Sequence, residues 1–111
     1  MITIEGLRDF GADVQSGLDR CMGKEDFYLK MVNMGLSDQR FERLGTVLQE
    51  KKLDEAFELC HALKGVIGNL ALTPMYDVIS EMTEKLRARQ NEDYSPLYAQ
   101  IKTSRDRLLA M

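Results

Sequence analysis

From Leu53 to Leu72 the sequence reads LDEAFELCHALKGVIGNLAL, with apolar residues recurring every third or fourth position. At about 100° per residue, Leu53, Ala56, Cys60, Leu63, Ile67 and Leu70 fall on one side of a helix. A helix with such a stripe must bury it against other elements, and the rest of the chain offers more helices. Phe41, Leu44, Val47 and Leu48 repeat at the same period, as do Met75, Val78, Ile79, Met82 and Leu86, then Leu97, Ile101 and Leu108. The alternation expected of a half-buried strand is nowhere sustained. Seven methionines and no tryptophan fit a helical core better than a sheet.

Prolines and glycines divide the chain. Thr73-Pro74 and Ser95-Pro96 each place a hydroxyl residue before a proline, the pattern of an N-cap followed by proline at the first helical position. Asp13 and Asp54 are further candidate N-caps. Gly11, Gly23 and Gly35 fall where helices should stop, because glycine accepts the left-handed conformation. The spacing predicts helices over about 3–10, 13–22, 24–35, 37–51, 53–71, 74–90 and 96–110. Short connections make consecutive helices antiparallel. The expected fold is all-α: an antiparallel up-down-up-down four-helix bundle over 37–111, with short N-terminal capping helices in 1–36, in one domain of 111 residues.

Composition removes several classes of function. A net charge of −3 leaves no basic excess for nucleic acid. Cys21 and Cys60 lack metal-ligand spacing, and with a single histidine they argue against a zinc site. They are expected as reduced, buried thiols. The N-terminal residues carry Glu5, Arg8 and Asp9 and no apolar run of signal-peptide length. No segment approaches the roughly 20 apolar residues of a membrane span. A soluble, cytoplasmic, monomeric protein is expected.

The one histidine, His61, lies nearly opposite the apolar stripe of its helix and is predicted to be exposed. Gly65 and Gly68 lie within roughly 40° of it and Lys64 within about 60°. An interior glycine costs a helix roughly 0.5–1 kcal/mol relative to alanine. Two of them beside one histidine suit the close approach of another surface to the imidazole. Lys64, one turn away, suits a phosphoryl group and disfavours the imidazolium, while neutral imidazole is the nucleophile. Each feature alone is commonplace: an idle surface histidine, a glycine that permits helix packing, a solvated lysine. Their convergence on one face is the signal. Phe57 and Leu72 lie near that face and are candidate apolar contacts for a partner. Cys60, beside His61 in sequence, falls on the apolar side, which disfavours a redox role.

The string His61-Ala62-Leu63-Lys64-Gly65, followed by Gly68-Asn69-Leu70, resembles the phosphorylation-site motif of histidine-containing phosphotransfer (HPt) domains. Upstream, Phe10-Gly11-Ala12-Asp13-Val14, Gly17-Leu18 and Phe27-Tyr28-Leu29 resemble the leading segment of bacterial members, and Leu53-Asp54-Glu55-Ala56 the entry to their active helix. The resemblance implies a four-helix bundle with His61 as phosphoacceptor. Lys64 and Gly65 then belong to the site, Gly68 is a small residue facing the partner, and Asn69 has a supporting role. It implies a phosphoryl carrier without ATP-dependent kinase activity. The carrier would exchange phosphate with receiver domains of response regulators and of hybrid sensor histidine kinases. Magnesium would sit on the receiver, with no metal or cofactor on this chain. Two positions depart from the pattern. Ala71 stands where many members have glycine. Thr83 stands near the place of a carboxylate that orients the imidazole, leaving Thr83 as a candidate orienting group without charge. Two other readings remain open at this stage: a non-catalytic helical adaptor for a receiver or kinase, and the phosphoacceptor module of a larger histidine autokinase.

Overall fold

The computed structural model describes every residue from Met1 to Met111. Seven helices follow one another: α1 (Ile4–Phe10), α2 (Val14–Arg20), α3 (Glu25–Leu36), α4 (Arg40–Gln49), α5 (Leu53–Asn69), α6 (Thr73–Arg87) and α7 (Ser95–Leu109). The sequence therefore predicts the number and order of the helices correctly. The helix α5 packs against α4 and α6, and α7 closes the ring against α6 and α4, giving an antiparallel four-helix bundle. The helices α1, α2 and α3 lie outside that ring, with α3 touching α7. Tyr28, Leu36, Leu44, Leu63, Ile67, Ile79, Met82, Leu86 and Ile101 are fully buried where the apolar stripes converge. Each stabilises the fold by about 2 kcal/mol through burial.

Several helix ends differ from expectation for local reasons. The helix α4 starts at Arg40 rather than near 37, because the Asp38 carboxylate accepts the Arg40 backbone N–H and its guanidinium, holding a turn there. Thr73 and Ser95 are not caps but the first helical residues, with proline following; the cap positions Leu72 and Tyr94 make no side-chain cap bond. Asp54 is also inside its helix and pairs with Arg89 at 2.6 Å. Asp13 does cap α2 by accepting the Ser16 N–H, and Gly11 ends α1 at φ 103°. Gly35 does not end α3: a Cβ there would collide with the Leu70 side chain, so this glycine permits α3 to cross the end of α5 closely.

The end of α5 is closed by a Schellman turn. Ala71 N–H bonds the Gly68 carbonyl at 3.1 Å and Leu72 N–H the Ile67 carbonyl at 3.4 Å, with Ala71 left-handed at φ 58°. Alanine pays roughly 1–2 kcal/mol for that conformation, which explains why glycine suits the position. The N-terminal segment supports the turn. Asp13 N–H donates to the Ala71 carbonyl at 2.9 Å, Tyr28 Oη to the Leu70 carbonyl at 2.8 Å and Arg20 to the Gly68 carbonyl at 2.7 Å. Helix-terminal carbonyls lack intrahelical partners; the preceding segment supplies donors to Leu70 and Ala71, while Gly68, already bonded by the Ala71 N–H, takes Arg20 in addition. Burial pushes the Tyr28 phenol up to about 12, so it stays a donor at any ordinary pH. No helix is long and apolar enough to cross a membrane.

Candidate functional site

The bundle presents the outer face of α5 with His61 exposed near its middle. The buried stripe forms as the spacing predicts, with Ala56, Cys60, Leu63 and Ile67 inside. Having its stripe anchored on two neighbouring helices, α5 holds His61 on a rigid element. One turn before it, the half-buried Phe57 stacks on the imidazole, ring centroids 5.7 Å apart and planes 15° apart. The Arg87 and Arg89 guanidiniums lie 5.0 and 5.2 Å from the Phe57 ring centre, within cation–π range. Phe57 thus holds the imidazole on one side while packing under two cations on the other helix end. The imidazole makes no hydrogen bond within the protein, so both ring nitrogens are free to react or to exchange protons with solvent.

On the C-terminal side of His61 the surface opens into a depression of about 710 Å³, lined among others by Lys64, Gly65, Gly68, Tyr76 and Arg20. The two glycines differ. A Cβ at Gly65 would meet nothing within 4 Å. The fold has no need of glycine there, and the open space serves whatever approaches from outside. A Cβ at Gly68 would come to 2.9 Å from the Tyr76 ring. Gly68 is a packing glycine that seats Tyr76, which corrects its expected role as a residue merely facing a partner. Asn69 is exposed as the last residue of α5, at the rim of the same depression.

Two other expectations are overturned. Leu72 is fully buried at the entrance to α6 and offers no apolar contact to a partner. It closes the Schellman turn, and its side chain follows the backbone into the core. Thr83 is fully buried as well, and it does not orient the imidazole. Its Oγ1 donates to the Ile79 carbonyl at 2.7 Å and lies 3.1 Å from Cys60 Sγ. The α6 pattern already contained the warning: Thr83 falls between Ile79 and Leu86 at helical spacing, within the apolar stripe. For the phosphotransfer that the sequence resemblance implies, Thr83→Val should change the rate by less than about twofold and stability by no more than about 1 kcal/mol, the usual value of one hydrogen bond. Labelling kinetics and a thermal melt check this; a tenfold slower transfer with an unchanged melt would restore the orienting role.

On α6, Glu84 lies close enough to the His61 face to feel its charges. Its carboxyl is held below the usual carboxylate range, first by the hydrogen bond from Arg87 at 3.0 Å, and in lesser part by the charges of Lys64 and His61. Burial pushes the Cys60 thiol up to about 11, against smaller opposing effects of Thr83 and Lys64. Buried and protonated, it is a poor nucleophile beside His61. No group of three or more His, Cys, Asp or Glu side chains is placed to hold a metal ion.

Fold and site together define a helical bundle that displays one histidine, with an unpaired lysine and an open glycine in the following turn. The family model for the Hpt domain matches residues 35–111, well over half of the chain, and the protein belongs to that family. It is thus a histidine-containing phosphotransfer module of two-component signalling, a family of phosphocarriers that work with receiver domains. Comparisons with curated proteins and with solved structures found no significant match.

Proposed function

We propose that this protein is a phosphorelay intermediate in which His61 accepts a phosphoryl group from the phospho-aspartate of one receiver domain and passes it to another. The observation that carries this reading is the exposed, hydrogen-bond-free imidazole of His61 beside the empty space at Gly65. The lone pair of one imidazole nitrogen attacks phosphorus in line. The P–O bond to the aspartyl carboxylate breaks, and the carboxylate leaves with the electron pair. The other ring nitrogen keeps its proton, so the ring carries the compensating charge. Lys64 stands one turn away to balance the phosphoryl oxygens, and Phe57 fixes the ring plane, so the chain contributes position and field. Glu84 and Arg87 frame the same face. The magnesium that assists transfer belongs to the receiver, and this chain uses no cofactor of its own. The reading places the carrier in the cytoplasm as a monomer, without nucleic-acid partners, in keeping with its net charge of −3.

The test is to incubate the protein with aspartyl-phosphorylated receiver domains and search for phosphate that is acid-labile and base-stable. Wild type should take the label at position 61, and His61→Gln should take none. If wild type stays unlabelled with every receiver of the source cell while still binding one, the protein is a non-catalytic adaptor and the carrier reading fails.

A further inference from the structure

Four cations surround the His61 face, and they are not equivalent. Arg87 is paired with Glu84 at 3.0 Å and Arg89 with Asp54 at 2.6 Å. Lys64 and Arg20 have no carboxylate within ion-pair distance. Both line the depression beside His61, although Asp13 and Asp77 stand on the same depression. The Asp13 carboxylate is engaged with the Ser16 N–H instead.

Arg20 ends α2, outside the 35–111 segment that the family model covers. Its Nη1 donates to the Gly68 carbonyl at 2.7 Å, across 48 residues of sequence. That bond is not needed to satisfy the carbonyl, which already accepts the Ala71 N–H at 3.1 Å. Its effect is to hold an exposed guanidinium in place, with most of its five N–H donors still unused and no internal anion. Long, flexible arginine side chains lose considerable entropy when fixed; tethering one in advance removes that cost from a later encounter.

Resting on the carrier reading above, we propose that Arg20 is a docking cation that engages carboxylates on the rim of the receiver domain, and thereby sets the affinity and orientation of the phosphodonor. Gly68 is seven residues beyond His61, about 10 Å along the helix axis at 1.5 Å per residue. Arg20 is therefore too far along the helix to neutralise the phosphoryl group itself, which is left to Lys64. A protein interface of ordinary size covers about 800 Å² on each side and spans both points. The chain as a whole is acidic, so an acidic partner needs such local cations to be drawn to this face in the right orientation. A charge at this place acts on encounter and on salt dependence, and only weakly on the chemical step.

The experiment compares Arg20→Gln and Arg20→Lys in the full chain. Glutamine keeps a polar amide but has no charge; lysine keeps the charge without the planar fork. Single-turnover transfer is followed from an aspartyl-phosphorylated receiver domain, at a series of receiver and salt concentrations, with a thermal melt of each variant. Arg20→Gln should raise the half-saturating receiver concentration about tenfold, flatten the salt dependence, and leave the maximum rate within about twofold of wild type. Arg20→Lys should retain most of the affinity. If both variants dock like wild type, or if both lose affinity only in proportion to a lowered melting temperature, Arg20 is a helix-end support and the proposal is overturned. If Arg20→Gln lowers the maximum rate at unchanged half-saturation, it acts on the chemistry and the docking role is equally overturned. A receiver that binds His61→Gln more tightly than the His61→Gln/Arg20→Gln double variant upholds the docking role even if wild type takes no phosphate, so this inference and the carrier reading can fail separately.

Discussion

Gly65→Leu is expected to leave the protein folded, and even slightly more stable, while slowing phosphotransfer to His61 about a hundredfold. The two effects have opposite signs because they arise on different sides of the same Cα. Inside the helix, replacing glycine removes backbone freedom from the unfolded chain and raises helix propensity, a gain of about 0.5–1 kcal/mol. Outside it, a side chain enters space that is empty in the free protein, since a Cβ at Gly65 meets nothing within 4 Å. An approaching receiver would then meet a branched side chain one turn from the imidazole. A misplacement of about 1 Å at a reacting centre costs about a hundredfold in rate. Melting followed by circular dichroism should show the small rise, and transfer kinetics the large fall. Transfer at the wild-type rate would mean that no surface needs to come close at Gly65. Gly68→Leu is a poorer probe of access than the helical wheel suggests, because it would first displace Tyr76.

Leu72→Ala should do the reverse, costing about 3 kcal/mol of stability and leaving transfer untouched in the protein that remains folded. Leu72 is fully buried and sits where α5 ends and α6 begins, so truncation removes apolar contact and leaves a cavity. Domains of this size are stable by about 5–15 kcal/mol in all. The loss should lower the melting temperature by roughly 10–20 °C. At a temperature where the variant is folded, its single-turnover rate and its half-saturating receiver concentration should both lie within about twofold of wild type. A stable variant that docks a receiver weakly would instead put Leu72 on the partner surface and contradict its burial.

The contrast between Gly65 and Leu72 shows where reading the chain succeeds and where it stops. The periodic stripe of α5, from Ala56 to Ile67, and the exposure of His61 opposite it are properties of one helix, and 3.6 residues per turn is enough to obtain them. The same holds for Lys64 and Gly65, which share the outer face with His61, and for the order of the seven helices, which glycines, prolines and apolar spacing delimit. Gly11 and Asp13 act through bonds within a few residues and could be assigned correctly.

Gly35, Gly68 and Leu72 depend on contacts that a single helix does not contain. Gly35 and Gly68 look like a helix stop and an open surface until Leu70 and Tyr76 are brought against them from elsewhere in the chain. Leu72 lies beyond the end of α5, where the wheel no longer applies, and the left-handed Ala71 turns it inward. Thr83 is the exception, since its place in the apolar stripe of α6 by itself marks it as buried. Glu84 and Arg20 reach the His61 face only through packing of α6 and α2 on α5, the latter across 48 residues. Local periodicity thus specifies which residues one helix shows to solvent, because that follows from backbone geometry alone. Which charges, rings and carbonyls meet at the exposed histidine follows from how the helices pack, and no spacing within one helix encodes that.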